Sequence, residues 1–247
     1  MEVIKDIEMK TKRLSLRRPN IHDKAFFVYL FNAPKVSDTY VCDSLKDEAV
    51  VEKWLNERIP NVPYVWAIEY EGRCVGMMNC FESNDASDCM EIGYVIDPKY
   101  HNLGICTECL VAVIDFLLDK VGYHKVVSSH FLHNPASGRV MQKAKMWHEG
   151  KRHHEFLFRG KYETLDYYYI TKVIRKINHI LDKIDDDTVL DNCFKLYSEG
   201  IIDCIDEYRV YTKSRIDGLD DDVIQIIQDN IEYEEVYINH KLVKVRV

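Results

Sequence analysis

The sequence predicts an α+β protein of the α/β sandwich type, and three observations predict it. Runs with strand alternation and runs with helical spacing follow one another as β-α-α-β-β-β-α-β-α-β-β over the first 171 residues. The composition, 47% apolar and 11% aromatic with only 10 Gly and 6 Pro in 247 residues, fills ordinary cores and argues against disorder. The charge breaks near Thr171: 22 Lys+Arg face 24 Asp+Glu up to that point, and 11 face 17 beyond it, so most of the net −8 lies in the last third. That break predicts two domains, residues 1–171 and an acidic extension of residues 172–247 that is itself a small α+β unit.

The opening strand is residues 11–18, TKRLSLRR, with Leu14 and Leu16 on one face, and Pro19-Asn20 breaks it. Residues 21–32 carry Ala25, Phe26, Tyr29 and Leu30 at helical spacing, and residues 47–58 do the same with Val50, Val51, Trp54 and Leu55. Residues 65–70 and 74–80 flank Glu71-Gly72-Arg73 and predict a hairpin, followed by a strand over residues 90–96. Asp97-Pro98 ends that strand. Residues 101–106 form a tight segment around Gly104, and Thr107 opens a helix bearing Leu110, Val113, Ile114, Leu117 and Leu118. A β-branched strand over residues 125–130, a helix over 135–144, and strands over 156–158 and 167–170 around Gly160 complete the first domain.

In the extension, Val173, Ile174, Ile177, Ile180, Leu181 and Ile184 predict an amphipathic helix, and Asp185-Asp186-Asp187 leads into a second that ends at Gly200. A strand near residues 208–211, an Asp217-Gly218 turn, a helix over 219–230 and a closing hairpin around Asn239-His240 follow.

Several function classes are disfavoured at once. An acidic chain without basic clusters is a poor nucleic-acid binder. No apolar run approaches the roughly 20 residues needed to cross a bilayer, and MEVIKDIEMKTKR lacks an apolar signal core, so no membrane association and a cytoplasmic location are expected. The eight cysteines (42, 74, 80, 89, 106, 109, 193 and 204) are scattered, which predicts reduced, mostly buried thiols. The Cys106–Cys109 pair sits where a helix begins and has no second pair to complete a metal site. His153-His154 and His130/His133 lack a third ligand at useful spacing, so no metal is expected.

Chemistry concentrates in MEIGYVIDPKYHNLGICTE, residues 90–108. A glycine loop between a strand and a helix turns backbone N–H groups toward the helix's positive end, where a diphosphate is favoured. This stretch, with HNPASGRVMQKAKMWHEG, RGKYETLDYYYIT and the opening TKRLSLRRPNIHD, resembles the GNAT acetyltransferase superfamily, specifically its RimJ/RimL-like ribosomal-protein N-acetyltransferase branch, over residues 10–171.

The resemblance implies a central, mostly antiparallel mixed sheet flanked by helices. It also implies acetyl-CoA as cosubstrate and a primary amine as acceptor, either a protein N-terminus or a small molecule. The CoA diphosphate would lie on His101, Asn102, Leu103, Gly104, Ile105, Cys106 and Thr107. Two positions depart from the family's Q/R-x-x-G-x-G/A pattern, since His101 replaces Gln or Arg and Cys106 replaces Gly or Ala; Asn102 stands where the branch often adds a glycine. The strand from Glu91 would splay from its neighbour, and Tyr94, Val95 and Ile96 would pair their main chain with the pantetheine arm.

By the same resemblance Glu91 is the general base, Asn134 bonds the pantetheine amides, and Ser137 lies near the sulfur and assists the leaving thiolate. By residue type alone, Asn134 and Ser137 read equally well as helix N-cap residues. Glu155 is a lesser candidate base: Phe156 takes the family's position, and strict alternation would turn Glu155 to the other face. Relatives often form homodimers, and nothing in the sequence decides that here. The loop departures also motivate a different class, a GNAT fold kept as a non-catalytic CoA-sensing or protein-interaction module.

Overall fold

The computed structural model describes residues 8–82 and 88–172, three further helical positions (Ile174, Arg175 and Asn178), and four short strands beyond them. The chain divides into two units, Met1–Thr171 and Lys172–Val247.

The first unit is built on an eight-stranded sheet, in the order β1-β2-β3-β4-β5-β6-β8-β7. Its strands are β1 (Met9–Lys10), β2 (Leu14–Arg17), β3 (Val65–Tyr70), β4 (Arg73–Glu82), β5 (Cys89–Ile96), β6 (Lys125–Phe131), β7 (Trp147–Phe158) and β8 (Lys161–Thr171). All neighbours run antiparallel except β5 and β6, which are parallel. This is the mixed, mostly antiparallel sheet that the family resemblance implies.

Two helical layers cover it. The helices are α1 (Lys24–Asn32), α2 (Pro34–Ser37), α3 (Glu48–Lys53), α4 (Ile105–Asp115) and α5 (Pro135–Lys143). The predicted helix over residues 21–32 begins as a 3₁₀ turn, Ile21–Asp23, because Asn20 and Asp23 cap each other's backbone. Asp47 starts α3 by accepting from the N–H groups of Ala49 and Val50. The helix is carried on by a π-helical segment, Trp54–Arg58. Phe27, Leu30 and Phe31 of α1 and Val51 of α3 are buried against Val65, Ala67, Met77 and Val95 of the sheet. Alternate residues face the opposite layer: Trp66 meets Phe116, just past α4, edge to face at 6.0 Å between centroids. On that side α4 lies on β2 and β5, and α5 lies on β6, β7 and β8.

The strand at the sheet's edge departs most from expectation. β7 spans 12 residues where only residues 156–158 read as strand. An edge strand has one backbone side and much of its side-chain surface in water, so the polar stretch HEGKRHHE forms a strand without showing apolar alternation. Register shifts interrupt its pairing between His148 and Gly150 and between Arg152 and Phe156. A two-residue turn at Arg159-Gly160, both with positive φ (49° and 78°), joins β7 to β8, as the twist of a tight hairpin requires.

The second unit holds a four-stranded sheet, β12-β11-β10-β9, formed by β9 (Ile202–Ile205), β10 (Arg209–Thr212), β11 (Glu235–Ile238) and β12 (Lys241–Val243). The predicted strand near 208–211 corresponds to β10, and the closing hairpin to β11 and β12, which pair antiparallel. β9 is a strand beyond those that the sequence predicts. The predicted helix from residue 173 is described only at scattered positions. The helix ending at Gly200, the Asp217-Gly218 turn and the helix over 219–230 lie outside the described residues.

Candidate active site

The one parallel junction in the large sheet opens into a fork. β5 and β6 share only Cys89↔Lys125, Met90↔Val126 and Glu91↔Val127, although β5 runs on to Ile96 and β6 to Phe131. Each remains tied to its outer neighbour, β5 to β4 as far as Ile96 and β6 to β8 as far as Phe131. The gap therefore leaves main-chain groups of two ordered strands facing one another with no ladder between them.

Which groups look into the fork follows from strand alternation. The Asp97 N–H donates to the Val75 carbonyl of β4, so Val95 and Gly93, two and four residues back, also turn their main chain toward β4. The even-numbered residues face the fork. Ser128 Oγ on β6 donates to the Ile92 carbonyl at 2.8 Å, and the His101 ring bonds the Ile96 carbonyl at 3.1 Å. Tyr94 lies midway and presents its main-chain N–H and C=O on that same edge. Val95, by contrast, has its side chain in the α1–α3 core. Of the three expected strand contacts, Tyr94 and Ile96 thus turn their main chain to the gap, the Ile96 carbonyl already bonded by His101, whereas Val95 turns its main chain to β4.

At the mouth of the fork, residues 101–104 form an exposed loop leading into α4. Gly104 is the residue before the helix and takes φ +75°, in the left-handed region where a side chain is strained. Asn102 has φ +64°. Asparagine is among the few non-glycine residues that tolerate this conformation, so Asn102 can adopt the backbone of the glycine that it replaces. The first intrahelical bond runs from the Glu108 N–H to the Gly104 carbonyl, which leaves the N–H groups of Ile105, Cys106 and Thr107 ahead of the helical ladder. That donor set suits an anion of diphosphate type.

Two of the departures now have a structural setting. A carbonyl only accepts, so the His101 Nε2 facing Ile96 carries the proton, and the ring is turned back toward the strand. Burial pushes the Cys106 thiol well above its ordinary value, so it stays a neutral thiol rather than a reactive thiolate. Glu108, a negative charge in the first turn, is bound by Thr11 Oγ1 at 2.6 Å and by Arg13 through its N–H at 3.0 Å and Nε at 2.7 Å. The Arg13 side chain also lies beside Gly104, 3.5 Å from where a Cβ would stand.

The other arm carries Asn134 and Ser137. The Asn134 side chain accepts from the Ser137 N–H at 3.4 Å and caps α5, the role that residue type alone allows. Gly138 brings α5 close to β6: a Cβ there would lie 2.6 Å from His130 Nε2. The Ser137 hydroxyl donates to the Tyr94 hydroxyl at 2.9 Å, and the Tyr94 hydroxyl donates to the Ser137 carbonyl at 3.0 Å. This reciprocal pair links the two arms of the fork. Tyr94 was expected to contribute through its main chain only; the residues lie 43 positions apart, and no local pattern joins them.

Glu91 sits where the strands part, on the sheet face shared with Gly93 and Val95. Ser129 Oγ donates to Glu91 Oε1 at 3.0 Å. Beside it lies an apolar cluster of Phe131, Phe158, Leu165 and Tyr167. Arg152 stacks on the Tyr167 ring at 4.4 Å and reaches Glu155 at 3.4 Å. Burial first, then the negative charges of Glu91 and Glu155, push the Tyr167 phenol up, against Arg152 and a hydrogen bond with Ser129.

Alternation therefore fails at Glu155. Between Arg152↔Leu165 and Phe156↔Glu163, three residues of β7 oppose Thr164 alone, and His154 takes φ +54°. The bulge gives Glu155 a place beside Arg152 and within electrostatic reach of Tyr167.

This face is closed on its far side by Arg159. It bonds both carboxylate oxygens of Asp43 at 2.8 and 2.9 Å, Asp38 at 3.2 Å and the Ser37 carbonyl at 2.8 Å. Arg159 and Lys46 hold the Asp43 carboxyl well below the usual range. Tyr40, after α2, donates to Asn79 Oδ1 at 3.1 Å, opposite Gly93. No group of three His, Cys, Asp or Glu among the described residues is gathered for a metal, and no described helix is long and apolar enough to cross a membrane.

Comparison with known proteins agrees with this architecture. An acetyltransferase (GNAT family) from Bacillus anthracis superposes with TM-score 0.61 at 21% identity, over 67% of this chain and 98% of that one. The ribosomal-protein-S5-alanine acetyltransferase of Vibrio fischeri gives 0.59 at 14% identity, over 67% and 97%. Spermidine N-acetyltransferase from Vibrio cholerae, solved in complex with CoA and spermine, gives 0.58 at 19% identity, over 66% and 98%. At these identities the likeness is one of fold. An uncharacterized N-acetyltransferase of Bacillus subtilis, YnaD, is 33% identical over 60 residues, so the match spans 24% of this chain and about a third (35%) of that protein. The sequence profile of the acetyltransferase (GNAT) domain matches residues 13–146, which takes in the opening strand, the fork, the loop and α5. The chain therefore belongs to the GNAT acetyltransferase family.

Proposed function

We propose that this protein is an N-acetyltransferase of the RimJ/RimL-like branch, acting in the cytoplasm, that uses acetyl-CoA to acetylate a primary amine on a protein N-terminus or a small molecule. The observation that carries the reading is the fork itself, which has Glu91 at its root, main-chain groups along one edge and a helix N-terminus at its mouth. Acetyl-CoA supplies an activated thioester carbonyl.

The loop from His101 to Thr107 holds the diphosphate through backbone N–H groups, with Asn102 and Gly104 setting the curvature. Tyr94 and Ile96, whose main chain faces the fork, line the pantetheine arm, and Asn134 bonds its amides; Val95, turned into the core and toward β4, does not reach it. Glu91, steadied by Ser129, takes the proton that an ammonium must lose before its nitrogen can attack. Ser137 offers a hydroxyl on the leaving-group side. The direct attack needs no covalent enzyme intermediate and no metal.

A thiol-release assay with acetyl-CoA across peptides, polyamines, aminoglycosides and amino acids tests the reading, with calorimetry for acetyl-CoA binding beside it. Binding with turnover of at least one amine class is expected. Binding without turnover of any class supports a CoA-sensing module instead, and absence of binding removes both readings. Residues 1–171 are read as the transferase domain, and 172–247 as an acidic packing or dimerisation extension, with a platform for a cationic substrate as the alternative. A chain ending at Thr171 is accordingly expected to keep its kcat on the same acceptor.

A further inference from the structure

Tyr94 and Ser137 stand on opposite arms of the fork, and their hydroxyl groups bond each other reciprocally. Ser137 Oγ to Tyr94 Oη is 2.9 Å, and Tyr94 Oη to the Ser137 carbonyl is 3.0 Å. A serine in the first turn of a helix ordinarily chooses among three staggered rotamers and competing backbone acceptors. Here Asn134 fixes the Ser137 backbone through its N–H, and Tyr94 fixes the hydroxyl.

The arrangement is reversible at the level of protons. The phenol has one proton and lone pairs to spare, and so has the serine hydroxyl. Turning the phenol proton from the Ser137 carbonyl to Ser137 Oγ keeps the 2.9 Å contact and frees the serine proton for another acceptor, without moving a heavy atom or breaking a covalent bond.

We infer that Tyr94 is a positioning residue of the transfer site: across the fork its hydroxyl aims that of Ser137 at the sulfur of bound CoA. The inference rests on the acetyl-CoA reading above. Tyr94 does not itself give up its proton in this role. Burial holds its phenol far above the range of a thiol, about 8.5, so transfer from Tyr94 to a thiolate is uphill. What the pair supplies is an oriented dipole.

The test compares CoA with desulfo-CoA, which has hydrogen in place of the thiol, by calorimetry on the full chain, and needs no knowledge of the acceptor. The wild-type protein is expected to bind CoA roughly three- to tenfold more tightly than desulfo-CoA, the worth of one hydrogen bond. Tyr94→Phe and Ser137→Ala should each bring that ratio close to one, and the double variant should go no further. In turnover, Tyr94→Phe should lower kcat about tenfold and leave the KM for acetyl-CoA within twofold.

If Tyr94 merely ties the arms together, Tyr94→Phe weakens both ligands alike and preserves the ratio, which overturns the inference. A wild-type ratio of one overturns it as well. A protein that binds neither ligand removes the acetyl-CoA reading and this inference together, whereas binding with an unmoved ratio removes the inference alone.

Discussion

On the loop side of the fork the groups turned toward the opening are main-chain N–H groups, set by two left-handed residues and a helix start within residues 102–107. On the Glu91 side they are side chains drawn from distant parts of the chain. Ser129 meets Glu91 across 38 positions, Tyr40 meets Asn79 across 39, and Arg159 meets Asp43 across 116. A site made of backbone needs only the right conformations, and several residue types can supply them, as Asn102 does in place of glycine. A site made of side chains depends on their identity and on the tertiary fold that gathers them. The first kind suits a ligand common to a whole family, and the second suits an acceptor that varies from member to member.

The sharpest way to break this contrast is at Glu91. Glu91→Gln keeps the Ser129 contact and removes the proposed base, so kcat should fall on the order of 100-fold at neutral pH while acetyl-CoA affinity stays within twofold. Glu155→Gln should lower kcat only severalfold, since Glu155 is already engaged by Arg152. Steady-state kinetics on one accepted amine checks both. A larger loss at Glu155 would move the base to β7.

This pair of carboxylates also marks how far the sequence could be read. Strand, loop and helix over residues 90–118 were legible, because turn chemistry and apolar periodicity act over a few neighbours. The side-chain face was legible only in part. Glu91 stood out through its family motif, whereas Glu155 was turned the wrong way by an alternation rule that a three-residue bulge overrides. β7 was mostly missed because its outer edge faces solvent and tolerates KRHHE. The Tyr94–Ser137 bond had no signal at all, being a meeting of two hydroxyls that only the splayed sheet brings together.

The next effect in size belongs to the loop. Gly104→Val forces a β-branched residue into φ +75°, at roughly 1–2 kcal/mol or more. The loop escapes that cost by leaving the conformation proposed to hold the diphosphate. CoA affinity should fall about tenfold in calorimetry, with kcat at saturating acetyl-CoA little changed. An unchanged affinity would mean that the diphosphate is not held there.

Arg159→Ala probes the opposite side. It removes three acceptors' partner at once, on Asp43, Asp38 and the Ser37 carbonyl. Exposed, solvent-screened ion pairs contribute little, so the melting temperature should drop by only about 2–4 °C. The acceptor KM should rise severalfold, because the β7–β8 turn no longer holds the α2 region in place. Equal changes in acceptor KM and CoA affinity would show that the two sides are not separable.

The smallest expected effect is at Glu108, the carboxylate of α4's first turn. Burial would raise its pKa, but hydrogen bonds from Thr11 and Arg13 outweigh that and hold it below its ordinary value. A carboxyl lowered by folding stabilises the native state above its unfolded pKa of about 4.3 and loses that contribution as pH falls through the folded value. The stability difference between wild type and Glu108→Gln, from urea melts, should therefore be flat from pH 8 to about 5 and shrink below about 4. CoA affinity should meanwhile stay within twofold, although removing this charge relieves repulsion of an anion and releases Arg13 beside Gly104. A tenfold gain would mean that the Arg13 side chain, and not the backbone, sets the strength of the anion site. The loop side would then be built on the same plan as the Glu91 side.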